Sequence, residues 1–200
     1  MTSPDYQAAI SHALQRLQDE LPPTLLYHDA RHTAEDVLPA VERLAALSGV
    51  TGEDLQLLRV ATAYHDLGYI HAYWQHELAS LRIAAQTLPQ FGLQPGQIES
   101  ILGMIVATRM PQSPRNLLEQ LLADADLDNL GRPDFIELSS RLREGLELFG
   151  QPRPPHQWQE AQLAFLKGHT YFTAAARQLR EAGRQENIAR LETQLKGDGR

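Results

Sequence analysis

Four short stretches of this chain put histidine and carboxylate side chains in unusual company. LLYHDARHT holds His28 and His32, four residues apart and therefore on one face of any helix that carries both. AYHDLGY holds the adjacent pair His65-Asp66, YWQHELAS holds His76-Glu77, and LLADADLDNLG holds Asp124, Asp126 and Asp128. Most of these have an ordinary explanation. A histidine pair at helical spacing is more often a surface coincidence than a ligand pair, and aspartates ahead of a glycine commonly close a helix.

His65-Asp66 resists that treatment. Leu57, Leu58, Val60 and Ala61 precede it, and Leu67 and Ile70 follow, so the segment is headed for a core. A buried, unpaired carboxylate is costly and normally finds a partner or neutralises. A divalent cation is one such partner. Two imidazoles and two carboxylates make a nitrogen and oxygen shell without sulfur, which suits Mn²⁺, Fe²⁺, Co²⁺, Ni²⁺ or Zn²⁺, and Mg²⁺ less well. Adjacent residues on a helix project about 100° apart. His65 and Asp66 therefore share an ion only at a seam where other segments converge and supply the remaining ligands. Such an ion polarises a phosphoryl oxygen and acidifies water.

The elements that must position these residues read as helices, with strand-like alternation nearly absent. Ser3-Pro4 opens an amphipathic segment that Pro22-Pro23 stops, and a second runs from about Ala30 to Leu47. A third starts at Thr51, with Asp54 three residues on, and carries His65-Asp66 to Gly68, which is expected to end the helix where substrate approaches. Further helices are expected over Trp74–Leu88, Pro95–Thr108, Pro114 to about Asp126, and Pro133–Phe149. The break Gly150-Gln151-Pro152-Arg153-Pro154-Pro155 precedes a closing stretch, His156–Leu195, of one or two helices. Trp158, His169 and Tyr171 read as packing of that stretch. The fold class is all-α, one multi-helix bundle: an N-terminal helix (1–24), a core (25–150), a C-terminal helical extension of the same domain (151–195) and a tail (196–200).

Composition narrows the partners. The 200 residues carry a formal net charge of −7, against general nucleic-acid binding and against a basic membrane-surface segment. No cysteine is present, which removes disulfides, thiolate zinc sites and cysteine nucleophiles. MTSPDYQAAI lacks the pattern of a signal peptide, and no apolar run is long enough to span a bilayer. The expectation is a cytoplasmic protein, with a homodimer through the terminal helices compatible with their amphipathic pattern.

Taken in order, YHDARHT, AYHDLGY, HELAS and LLADADLDNLG resemble the HD superfamily of metal-dependent phosphohydrolases, over roughly Leu25 to Phe149. The resemblance implies an HD-type bundle holding one divalent ion per chain through His32, His65, Asp66 and one aspartate of DADLD. Asp126 is chosen because the family's closing ligand generally precedes a leucine in an A-D-x-L-like word, with Asp124 in reserve. It further implies catalytic roles for Asp66, for His28 as proton donor to the leaving oxygen, and for His76 facing the substrate. Two departures matter. Asp29 stands where the phosphodiesterase branch typically has Asn, and Thr108 and Arg109 stand where two-metal branches carry histidine. Thr108, Arg109 and, from the closing stretch, Lys167 are the candidate substrate contacts. The implied activity is cleavage of a phosphate ester or anhydride of a small molecule, with a nucleotide the expected substrate. The alternatives are a regulatory module that binds metal and nucleotide without turnover, and a di-iron oxygenase. An acidic pair that follows the HD word in the alarmone-hydrolase branch is missing, which lowers that substrate class.

Overall fold

The structure is a computed structural model and describes residues 3–197. Asp5 caps the first helix, its carboxylate accepting the Ala8 N–H at 2.9 Å. Helix α1 (Tyr6–Glu20) buries Ala9, Ile10, Ala13 and Leu17, a stripe at helical spacing, and stops before Pro22-Pro23. A π-helical turn, His32–Val37, runs directly into α2 (Leu38–Leu47). Then come α3 (Gly52–Tyr64), α4 (His76–Thr87), α5 (Pro95–Thr108), α6 (Leu117–Asp126) and α7 (Phe135–Leu148). The closing stretch forms two helices, α8 (Pro155–Gly168) and α9 (Ala174–Gly197). Short 3-10 turns cover Leu67–Ile70, Leu88–Phe91 and Asp128–Gly131, and no strand occurs among the described residues. Lys196 and Gly197, expected in a tail, continue α9, while 198–200 lie outside the described residues.

Helix α3 is the central element, packed against α1, α2 and α5, with α4 and α6 completing the layer around α5. Its Leu58, Val60, Ala61 and Ala63 are fully buried, as are Ile101 and Ile105 of α5 and Leu121 and Leu122 of α6. The first turn of α3, with Glu53 and Asp54, is exposed, but from Val60 to Tyr64 every residue is buried, so that the end carrying the site is surrounded rather than laid on a surface.

The third helix is shorter than its apolar pattern predicts. It ends at Tyr64; His65 keeps helical angles, but Asp66 departs to φ −101°, ψ 2° and a 3-10 turn follows. Ser80 of α4 explains the break. Its hydroxyl donates to the His65 carbonyl at 2.6 Å and accepts the Gly68 N–H at 2.8 Å, satisfying groups that a continuing helix would have paired. Gly68 then has a packing role instead of marking a substrate entrance. A Cβ there would stand 1.9 Å from the His76 carbonyl oxygen, so only glycine lets α4 approach this closely. Thr51 makes no side-chain cap, although α3 begins directly after it.

The segment after α6 is held by α9. Asp124 accepts the N–H groups of Phe172 and Thr173, both at 2.8 Å, and the Thr173 hydroxyl at 2.7 Å, just ahead of α9. Asp128 accepts two bonds from Arg180, at 2.7 and 2.8 Å, and the Asn187 amide donates to the carbonyls of Leu130 and Arg132. Gly131 and Gly183 let the two backbones touch, since a Cβ on Gly183 would lie 2.1 Å from the Gly131 carbonyl oxygen. Asp124 and Asp128 are four residues apart and both serve this anchor. Asp126, about 200° round α6 from Asp124 at 100° per residue, is turned away from it, while Asp128 reaches the anchor from the 3-10 turn beyond the helix end.

Candidate metal centre

Three breaks in regular helix bring the site together. His32 begins the π-helical turn, an irregularity that often accompanies functional positions. His65 and Asp66 leave the end of α3, and Asp126 is the last residue of α6. At helix ends side chains escape the fixed 100° step, so neighbours such as His65 and Asp66 can aim at one point. One ligand atom from each of His32, His65 and Asp66 lies within 4.8 Å of the other two, all three residues being buried. Asp126 joins them: its Oδ1 is 3.3 Å from His32 Nε2 and 3.4 Å from His65 Nε2. Asp66 Oδ2 is 3.4 Å from His65 Nε2 and 3.7 Å from His32 Nε2.

Of these atoms only His32 Nε2 and Asp126 Oδ1 pair with each other, at 3.3 Å. His65 Nε2 and Asp66 Oδ2 are buried and neither makes a hydrogen bond, although they are neighbours. His65 Nδ1 lies 2.7 Å from the Thr62 carbonyl, so that nitrogen keeps its proton, and in the neutral ring the Nε2 lone pair faces the cluster. An imidazole nitrogen and a carboxylate oxygen left without partners at one buried point, beside a second imidazole and a second carboxylate, fit a divalent cation of the nitrogen- and oxygen-binding class.

The electrostatics agree. Burial works to lower the His65 pKa, yet Asp66 and Asp126 outweigh it and raise it to about 9. Burial works to raise Asp66, yet His65 and His76 hold it well below the usual carboxylate range, and His32 and His65 do the same for Asp126. The corner thus concentrates two carboxylate charges that need positive charge opposite them. A bound cation takes over that role, at the cost of the imidazole protons.

Beside this corner opens a cavity of about 310 Å³. Asp66 and Asp126 lie at one end with His28, Tyr69 and His76. The rings of His28 and His76 both stack with Tyr69, at centroid distances of 4.6 and 3.8 Å, and are 6.3 Å from each other. His76 Nε2 is 3.3 Å from Asp66 Oδ1, and its Nδ1 is 3.8 Å from Glu77. Burial brings the His28 pKa down to about 3 and keeps its ring neutral. Burial also opposes charge on His76, but Asp66 and Glu77 overcome it and raise its pKa. The apolar part of the wall includes Leu130, Phe135, Leu138 and Phe165.

The expected substrate contacts fare unequally. Thr108 lines the cavity, its hydroxyl donating to the Ile105 carbonyl at 2.9 Å. Arg109 ends α5 and is exposed, outside the cavity wall. Lys167 is also outside it, paired with Glu192 of α9 at 2.6 Å on the outer surface. Asp124, the reserve ligand, is occupied by Phe172 and Thr173. Trp158 packs as expected, its indole N–H donating to Ser139 Oγ at 2.9 Å. Sequence reading missed Tyr27, Tyr69, Asn129 and Gln162 in the wall. Tyr69, next to Gly68 in the HD word, was the one with a signal, a polar aromatic within an otherwise apolar stretch.

No family model and no curated protein matches the sequence. The fold is similar to the crystal structure of a predicted HD superfamily hydrolase from an uncultured Thermotogales bacterium. The TM-score is 0.62 at 18% identity, over 98% of this chain and 94% of that one. Among the described residues, no helix is long and apolar enough to cross a membrane. The chain has the all-α architecture of the HD fold.

Proposed function

We propose that this protein is a metal-dependent phosphohydrolase that cleaves a phosphate ester or anhydride of a small molecule, a nucleotide being the class that its sequence resemblance favours. The observation that carries the reading is the corner where His32, His65, Asp66 and Asp126 converge with buried polar atoms left without partners. Those four residues would hold one divalent ion of the Mn²⁺, Fe²⁺, Co²⁺, Ni²⁺ or Zn²⁺ type. When bound, such an ion supplies the positive charge that polarises a phosphoryl group and acidifies water.

The chain's own residues do the rest. His65 is oriented through Nδ1 by the Thr62 carbonyl, and Asp126 through the anchoring of its segment by α9. Burial opposes charge on His76, but Asp66 and Glu77 raise its pKa, and its Nε2 is 3.3 Å from Asp66 Oδ1; it is assigned to proton delivery at the leaving oxygen. The neutral His28 beside it is assigned to orienting that oxygen through a ring N–H. Stacking against Tyr69 fixes both rings. The apolar part of the wall limits water around the reacting group.

Metal analysis of the purified protein, followed by hydrolysis assays on nucleotides and phosphomonoesters, tests the proposal. A single ion per chain and turnover that disappears in His65→Ala and Asp66→Ala support it. Metal and nucleotide binding without turnover would replace it with a regulatory module. Two ions with oxygen consumption would replace it with an oxygenase.

A further inference from the structure

The cavity wall distinguishes among phosphate compounds, and what it says rests on the phosphohydrolase reading. Among the described residues, no lysine or arginine lines the cavity. Arg132 is committed to Asp36 and Asp134, Arg141 to Asp29, and Arg43 and Arg180 to Asp128, while Arg109, between the lining residues Thr108 and Met110, is exposed and outside the wall. The carboxylates that line it are Asp66 and Asp126 at the candidate metal corner and Glu77 beside His76. A dication offsets Asp66 and Asp126, and the Glu77 carboxylate lies 3.8 Å from His76 Nδ1. A single phosphoryl group finds its positive charge at the ion. A second and third phosphate would extend into a wall whose one remaining cationic group, His76, already faces Asp66 and Glu77. They find no free cation and meet carboxylates of like charge, a juxtaposition that costs several kcal/mol.

The apolar part of the cavity wall fits an uncharged body. Leu130, Phe135, Leu138 and Phe165 present apolar and aromatic surface. We infer that the substrate is a phosphomonoester, one phosphoryl group on an uncharged, largely apolar or aromatic body, and that the cavity discriminates against diphosphates and triphosphates. A nucleoside monophosphate has these features; a nucleoside triphosphate lacks the first.

Binding of analogues that cannot be cleaved tests this independently of turnover. The Mn²⁺-loaded protein, with Mn²⁺ in excess over every ligand, is titrated by calorimetry with a nucleoside 5′-phosphonate and with the β,γ-methylene triphosphate of the same nucleoside. The phosphonate is expected to bind about tenfold or more tighter, about 1.4 kcal/mol per decade, with Glu77→Gln narrowing the gap. A triphosphate analogue that binds as tightly or more tightly overturns the inference, and so does failure of the phosphonate to bind at all. Either result leaves the hydrolase reading to its own assays. Tight phosphonate binding without cleavage of any ester would do the reverse, upholding the selectivity and removing the hydrolase.

Discussion

One eleven-residue stretch, Leu121 to Gly131, feeds two polar clusters that behave in opposite ways. Asp124 and Asp128 face α9, and each of their carboxylates is met by donors, from Phe172, Thr173 and Arg180. Asp126 faces the cavity and joins His32, His65 and Asp66, where Asp66 Oδ2 and His65 Nε2 stay unpaired although buried. A satisfied cluster needs nothing further and serves the fold. An unsatisfied one retains the desolvation cost of its atoms until something binds. Convergence is the second requirement, as His169 shows. Its Nε2 is likewise buried without a partner, but no carboxylate converges on it, and its nearest ring is Tyr171.

Substitutions that separate the clusters test that contrast. The largest effect is expected at the cavity. Asp66→Ala and His65→Ala should lose bound metal and cut kcat/KM by more than about 100-fold, beyond what outer-shell residues usually cost, while the variants stay folded by circular dichroism. In the anchor, Gly131→Ala drives a Cβ to 2.3 Å from the Arg180 carbonyl oxygen. Chemical denaturation should show a loss of about 1–3 kcal/mol or more, with activity falling as Asp126 is displaced. Asp128→Asn should cost about 1–3 kcal/mol of stability and leave metal stoichiometry intact, the mirror image of the cavity substitutions. The smallest effect is at His169, whose pKa burial lowers from 6.5 to about 4. As pH falls through that window the unfolded chain takes up the proton first, so stability should decline between about pH 6.5 and 4. His169→Phe should flatten that part of the pH–stability curve.

The helices were legible in the sequence because proline, glycine and apolar spacing act locally. Pro22-Pro23 and the run from Gly150 to Pro155 end helices by their own chemistry. The order of His32, His65-Asp66 and the DADLD word also pointed to residues that the fold gathers in one corner. What escaped were effects made by other segments. The apolar run through His65 predicts a helix to Gly68, but Ser80, fifteen residues on from His65, completes the hydrogen bonds that let it stop at Tyr64. The separate duties of Asp124 and Asp128 depend on α9, some fifty residues later. Lys167 looked free for substrate because its partner, Glu192, lies a helix away. The walls supplied by α7 and α8, including Phe135 and Phe165, follow from tertiary packing alone.

The most direct measurement is metal content by mass spectrometry after loading and desalting, on wild type, Asp126→Asn and Asp128→Asn side by side. A single ion per chain in wild type and Asp128→Asn, with loss in Asp126→Asn, is the predicted result. Retention of the ion by Asp126→Asn, or its loss from a folded Asp128→Asn, would contradict the division between the unsatisfied corner and the satisfied anchor.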